Sequence, residues 1–139
     1  MHNPFFIMFV GSICIHMFLM PLLMLDTITD FRLSPTQFYG AVCMACSMVI
    51  LETFMHTLSA NGWIATIATF VIALICLRYQ FAVTDTEFLH DMIPHHSMAV
   101  LTSKAILQKT QNPDIANLAQ NILATQVKEI EQMKQLAAY

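Results

Sequence analysis

From Pro4 to Leu25 the chain carries no charged residue. At 1.5 Å of rise per residue, a helix of that length reaches across a hydrocarbon core of about 30 Å. The run makes a poor secretion signal: it has no basic leading region, its apolar part is too long, and no small-residue cleavage site follows. It reads as a retained anchor. A polar break over 26–35 ends in Ser34-Pro35, a capping residue followed by a proline suited to the first helical position. A second apolar run over 36–58 contains Glu52, and Ser59-Ala-Asn-Gly62 then makes a tight turn. A third, over 63–79, is bounded by Trp63 and Tyr79, placed like interface anchors. The expectation is a membrane domain over 1–80 with three spans, 4–25, 36–58 and 63–79.

Composition agrees with an anchor plus a small second domain. Of 139 residues 57% are hydrophobic and 11% charged, and the apolar ones are strongly segregated. A net charge of −3 with six Lys plus Arg leaves no basic patch for nucleic acid. The four cysteines lie in apolar runs, so no secreted disulfide framework is expected. Cys43-x-x-Cys46 has a redox or metal spacing but falls inside an apolar helix, where small packing residues are the better reading. Arg32 and Arg78 are the only basic residues near the spans. Counting them alone places the carboxyl-terminal part in the cytoplasm.

Methionines recur on the apolar helices. Met17, Met20 and Met24 share one face, and Met44, Met48, Glu52 and Met55 share a sector about 80° wide. If the two runs are antiparallel neighbours, these stripes form an intramembrane track of soft ligands with one carboxylate. The plainer alternative is gap-filling between helices. A carboxylate near a bilayer centre costs about 3 kcal/mol, so Glu52 is expected to face protein, water or a cation.

Beyond residue 80 the chemistry concentrates. Phe88-Leu-His-Asp-Met-Ile-Pro-His-His-Ser-Met-Ala-Val100 holds three of the six histidines and two of the eleven methionines. Thr84 and Glu87 form a capping box, so a helix starts there and runs to about Lys109. Stepping by about 100° per residue puts Phe88, Met92, His95, His96, Ala99, Ser103 and Ile106 in one stripe. Pro94 removes a backbone hydrogen bond beside the histidines and is expected to kink the helix. His90 points away, with Asp91 beside it. Gln111-Asn-Pro-Asp114 breaks the helix, and a second one carries Ile115, Leu118, Ala119, Ile122, Gln126, Ile130, Met133 and Ala137 inward, with Glu129 at the edge. If the helices fold back near residue 111, Met133 comes level with Phe88–Met92 and Gln126 with His96, and Glu129 falls between, so that a second thioether and a candidate carboxylate approach the Met92–His95–His96 cluster. Imidazole and thioether together suit a soft or borderline metal such as copper. A satisfied polar pair in a core is the alternative for the histidines. Two helices bury their stripes poorly alone, so a second copy of the chain is the expected partner.

Met92-Ile-Pro-His-His96, with Phe88 upstream and Gln126-x-x-Glu-Ile-x-x-Met133 downstream, resembles the domain of unknown function 305 family over about 84–138. Three spans followed by one such hairpin also look like a bacterial membrane-bound branch of that family, whose His-His-Ser and Leu-Thr-Ser read here as His95-His-Ser97 and Leu101-Thr-Ser103. The resemblance implies a ferritin-like helical bundle, and copper-binding periplasmic proteins occur among its soluble members. Carried over residue by residue, it marks Met92, His95, His96 and Met133 as ligands, with Glu129, His90 and Asp91 as secondary candidates. Many members have Asp where His90 stands and Met where Thr102 stands, which implies a smaller site or another metal preference.

The resulting expectation is an all-α protein: three transmembrane helices, then over 81–139 a two-helix antiparallel hairpin that dimerises into a ferritin-like four-helix bundle. Its function would be copper or silver binding for sequestration, trafficking or tolerance, with copper ion as the cofactor, in a bacterial inner membrane with the hairpin on the periplasmic side. The alternative is a membrane-anchored oligomerisation module with structural or pH-sensing histidines. No enzyme is expected. Ser97 adjoins His96 on one helix and points elsewhere, the wrong geometry for nucleophile and base. Glu87 and His90 have a di-iron spacing, but the second helix supplies no histidine.

Overall fold

The computed structural model describes residues 4–137, and every regular element in them is helical. The ends expected for the two domains, at residues 1 and 139, lie outside the described residues. Two units form, one from residues up to Met20 together with Leu33–Val83, the other from Pro21–Arg32 together with the chain from Thr84 onward.

In the first unit, α1 (Pro4–Cys14) passes into a π-helical stretch, Ile15–Leu19, and then into α2 (Met20–Met24), whose residues from Pro21 onward belong to the second unit. A π-bulge widens the turn and loosens the regular carbonyl pairing. Here the Met17 carbonyl accepts from the Gln37 side-chain amide at 3.1 Å. α3 (Pro35–Glu52) starts as its sequence dictates, with the Ser34 hydroxyl accepting from the Gln37 N–H at 3.1 Å and Pro35 in the first turn. Its buried residues are Ala41, Val42, Ala45, Cys46 and Val49. Small side chains let two neighbours approach, and α3 packs against both α1 and α4 (Ala60–Arg78). Val42, Cys46 and Ala73 form that core, with Phe9, Ile13, Cys43 and Phe70 around it. Ser59 caps α4 through the Gly62 N–H at 3.1 Å. A Cβ at Gly62 would come within 2.6 Å of Leu58 Cδ1, so a larger residue there would require the Leu58 side chain to shift. After α4, Gln80 and Ala82 adopt left-handed backbone, φ 51° and 56°. Hydrogen bonds from Tyr39 to the Phe81 carbonyl (2.8 Å) and from Thr36 to the Gln80 side chain (3.1 Å) hold that turn in place.

The expectation of three spans is corrected here. Two helices, Pro4–Met24 and Ala60–Arg78, are long and apolar enough to cross a membrane. α3 is not the third. It stops at Glu52, short of the expected residue 58, and it carries Thr36, Gln37, Ser47 and Glu52 among its apolar residues. Five of its residues, Ala41, Val42, Ala45, Cys46 and Val49, are buried against neighbouring helices.

In the second unit, α5 (Asp85–Leu107) begins at Thr84, whose hydroxyl accepts from the Glu87 N–H at 3.3 Å, and Pro94 sits inside the helix without ending it. α6 (Pro113–Ala137) follows Asn112, whose side chain accepts from the N–H groups of Asp114 and Ile115 at 2.9 and 3.4 Å. The helices run antiparallel: Leu89, Met92 and Ile93, early in α5, share a core with Ile130 and Met133, late in α6, and Val100 and Leu123 complete it. A second correction follows, because this unit is not a free-standing hairpin. The connecting segment Pro21–Arg32, with a 3-10 turn over Ile28–Asp30, belongs to it.

Candidate functional site

The candidate ligands fall in the second unit, at the level where α5 and α6 share their core. His96 lies one helical turn after Met92, so its Nδ1 reaches back to the Met92 carbonyl at 2.8 Å. A carbonyl only accepts, so Nδ1 donates and the ring presents Nε2 outward from α5. Nε2 lies 3.0 Å from a carboxylate oxygen of Glu129 on α6. The Gln126 amide donates to the same oxygen at 3.5 Å. With Nδ1–H committed to the backbone, the Nε2 lone pair and the carboxylate face each other, and that arrangement is favourable only with a proton or a cation between them.

The structure divides the histidine pair. His96 is half-buried and turned toward α6, whereas His95 is exposed. Met133 is buried, and Met92 packs against the same core. His96 thus meets the Met92 carbonyl and Glu129, Met92 packs on the core that holds Met133, and His95 is exposed. His90 is half-buried, and Asp91 is buried with an interaction of its own. Among the described residues no group of three or more His, Cys, Asp or Glu side chains is placed to hold a metal. A metal between α5 and α6 would need the two thioethers to complete its shell.

In the first unit Met17 is buried, while Met20, Met44 and Met55 are exposed. Met24 is exposed too and belongs to the second unit. The buried seam of α3 is made of Ala41, Val42, Ala45, Cys46 and Val49, with Met48 only half-buried. Met44, Met48 and Met55 thus lie outside the buried seam of α3. Glu52 pairs with His56, four residues on, at 2.8 Å.

Sequence reasoning missed the polar underside of α5. Asp26 takes Lys104 on both carboxylate oxygens, at 2.8 and 2.7 Å, and its N–H donates to the Ser97 hydroxyl at 3.0 Å. Asp30 pairs with Lys134. Burial alone would raise the Asp30 carboxyl, but hydrogen bonds from Lys134, Ser97 and Thr27 and the Lys134 charge outweigh it and hold the group below its ordinary 3.8. The available signal was two aspartates one helical turn apart in an otherwise short polar break.

A lowered carboxyl binds its proton more weakly in the folded state than in the unfolded one. Its stabilisation is complete above 3.8 and is lost as pH falls through the lowered folded value. Thermal unfolding of wild type and Asp30→Asn between pH 6 and 2 checks this. The wild type should lose more stability over that range, and parallel curves would contradict it.

Residues 74–137 match the model of the family described as "Domain of unknown function (DUF305)". An uncharacterized protein of Acanthamoeba polyphaga mimivirus is 32% identical over 115 residues, covering 80% of this chain and 76% of that protein. No solved structure matches the chain. The chain thus belongs to the DUF305 family, and the matched stretch contains Met92, His96, Glu129 and Met133.

Proposed function

We propose that this is a membrane-anchored protein that binds a soft metal ion, copper(I) or silver(I), between α5 and α6, for sequestration, trafficking or tolerance. The observation that carries the reading is the His96–Glu129 contact: Nε2 and a carboxylate oxygen 3.0 Å apart, with Nδ1 already committed to the Met92 carbonyl. A ring whose other nitrogen is pinned to the backbone is oriented as metal-ligating histidines are. The thioethers of Met92 and Met133, packed on one core, supply soft donors beside it. Two helices long and apolar enough to cross a membrane support the anchor.

A copper(I) competition titration on purified full-length chain tests the reading. Wild type should bind at least one equivalent that His96→Ala and Met133→Leu both lose. Equal, negligible uptake by all three would end it.

A second reading, an oligomerisation module without metal, is favoured by apolar residues left exposed on both helices: Phe88, Ile106, Ile115, Leu118 and Leu136. A second copy of the chain is the occupant this reading names. Cross-linking to a dimer that Leu118→Glu abolishes, together with no copper uptake, would favour it over the first.

A further inference from the structure

We propose that Asp30, which lies outside the family-matched residues, is a positioning residue for the site between α5 and α6; the inference rests on the metal-binding reading above. Its carboxylate takes Lys134 from α6, and four residues earlier on the same segment the Asp26 N–H donates to the Ser97 hydroxyl on α5 at 3.0 Å. Each of these adjoins a candidate ligand in sequence: Ser97 follows His96, and Lys134 follows Met133. Successive residues on a helix stand about 100° apart, so gripping Ser97 and Lys134 fixes the rotation that aims His96 and Met133. Outer contacts of this kind set ligand orientation in metal sites.

The docking of residues 21–32 shows what holds them. Within the turn the buried contact is not apolar, since Ile28 is 75% exposed and Thr27 and Thr29 are exposed too, while Leu25 and Phe31 on either side are half-buried. The buried residue of the turn is Asp30, 4% exposed. Ser97, fully buried, accepts from the Asp26 N–H at 3.0 Å. The turn is itself braced, with the Asp30 and Phe31 N–H groups donating to the Thr27 and Ile28 carbonyls at 3.1 Å. The Arg32 guanidinium donates to the Thr29 and Phe31 carbonyls at 2.9 and 2.7 Å. On so fixed a turn, the Asp30 carboxylate holds α6 and the Asp26 N–H holds α5, so one short segment joins the two helices at the level of the candidate ligands.

Asp30→Leu keeps the size and removes both acceptors, while Asp30→Asn keeps one acceptor and the shape. The full chain in detergent is read two ways: copper(I) competition titration, and the ring Cε1–Hε1 resonances of His96 and His95 without metal. Asp30→Leu should weaken copper(I) binding about tenfold and move the His96 resonance while leaving His95 unchanged, with Asp30→Asn restoring most of both. An unmoved His96 ring in Asp30→Leu overturns the inference. So does movement of both rings together, which is the mark of general loss of packing. Wild-type chain that takes up no copper(I) ends the metal reading alone, and the metal-free His96 resonance still decides whether Asp30 sets that ring.

Discussion

Replacing Ile93 with alanine should destabilise the α5–α6 unit by about 2–5 kcal/mol, the range for deleting buried branched carbons whose cavity cannot collapse. Ile93 is fully buried and heads the core that Val100, Ile130 and Met133 complete. Little around it can move in to fill the space, because α6 packs on one side and Ser97, tied to Asp26, holds the other. Denaturant unfolding of the full chain, followed by helical circular dichroism, measures the loss. The control is Ile106→Ala, 40% exposed, which should cost well under 1 kcal/mol. Equal effects at the two positions would mean the core does not lie where Ile93 places it. Because His96 is three residues on from Ile93, the same substitution should also weaken any metal uptake.

What could be read from the sequence was local or nearly so. The helix starts at Ser34, Thr84 and Asn112 form within three residues of chain, so the pattern of residue types suffices to find them, whereas Ser59, read as part of a tight turn, caps α4, which begins at Ala60, three residues before the expected Trp63. The approach of Glu129 to the histidine cluster was legible to within a turn, because one short connection sets the antiparallel register of α5 and α6; the register placed Gln126 level with His96, and the contact is with Glu129, three residues on. Two other features were not legible, for different reasons. α3 looks like a membrane span by apolar count, yet Ala41, Ala45 and Cys46 are apolar because two helices press on them. Composition alone cannot separate the two situations. The helical stripe on α5 assumed a single partner. With residues 21–32 packed beside Ser97 as well as α6 beside Val100, the buried arc moves toward Ile93, Ser97 and Val100, and His95 is left outside. Contacts such as Asp26 to Ser97, separated by 71 positions, leave no periodic trace in the sequence.

Those long-range contacts lead to an asymmetry that stability measurements can expose. Lys134→Met should cost about 3 kcal/mol, whereas Asp30→Ala should cost much less, although both break the same ion pair. The carboxylate is the buried partner and the ammonium is about one-third exposed. Removing the lysine strands a negative charge under the segment, where Ser97 and Thr27 offer hydrogen bonds but no counter-charge. Removing the aspartate leaves a lysine on a flexible stem that can turn its ammonium into water. The stranded carboxylate has one escape, protonation, so Lys134→Met should become less destabilising, relative to wild type, as pH falls toward 3.8 and below. Unfolding curves for wild type, both single variants and the double variant at pH 7 and pH 3.5 give the comparison. The double variant should resemble Asp30→Ala rather than the sum of the two, since the penalty of Lys134→Met exists only while the carboxylate is present. Additive costs, or a penalty for Lys134→Met that is unchanged at low pH, would show that Asp30 is solvated in the folded chain and that residues 21–32 are not held by it.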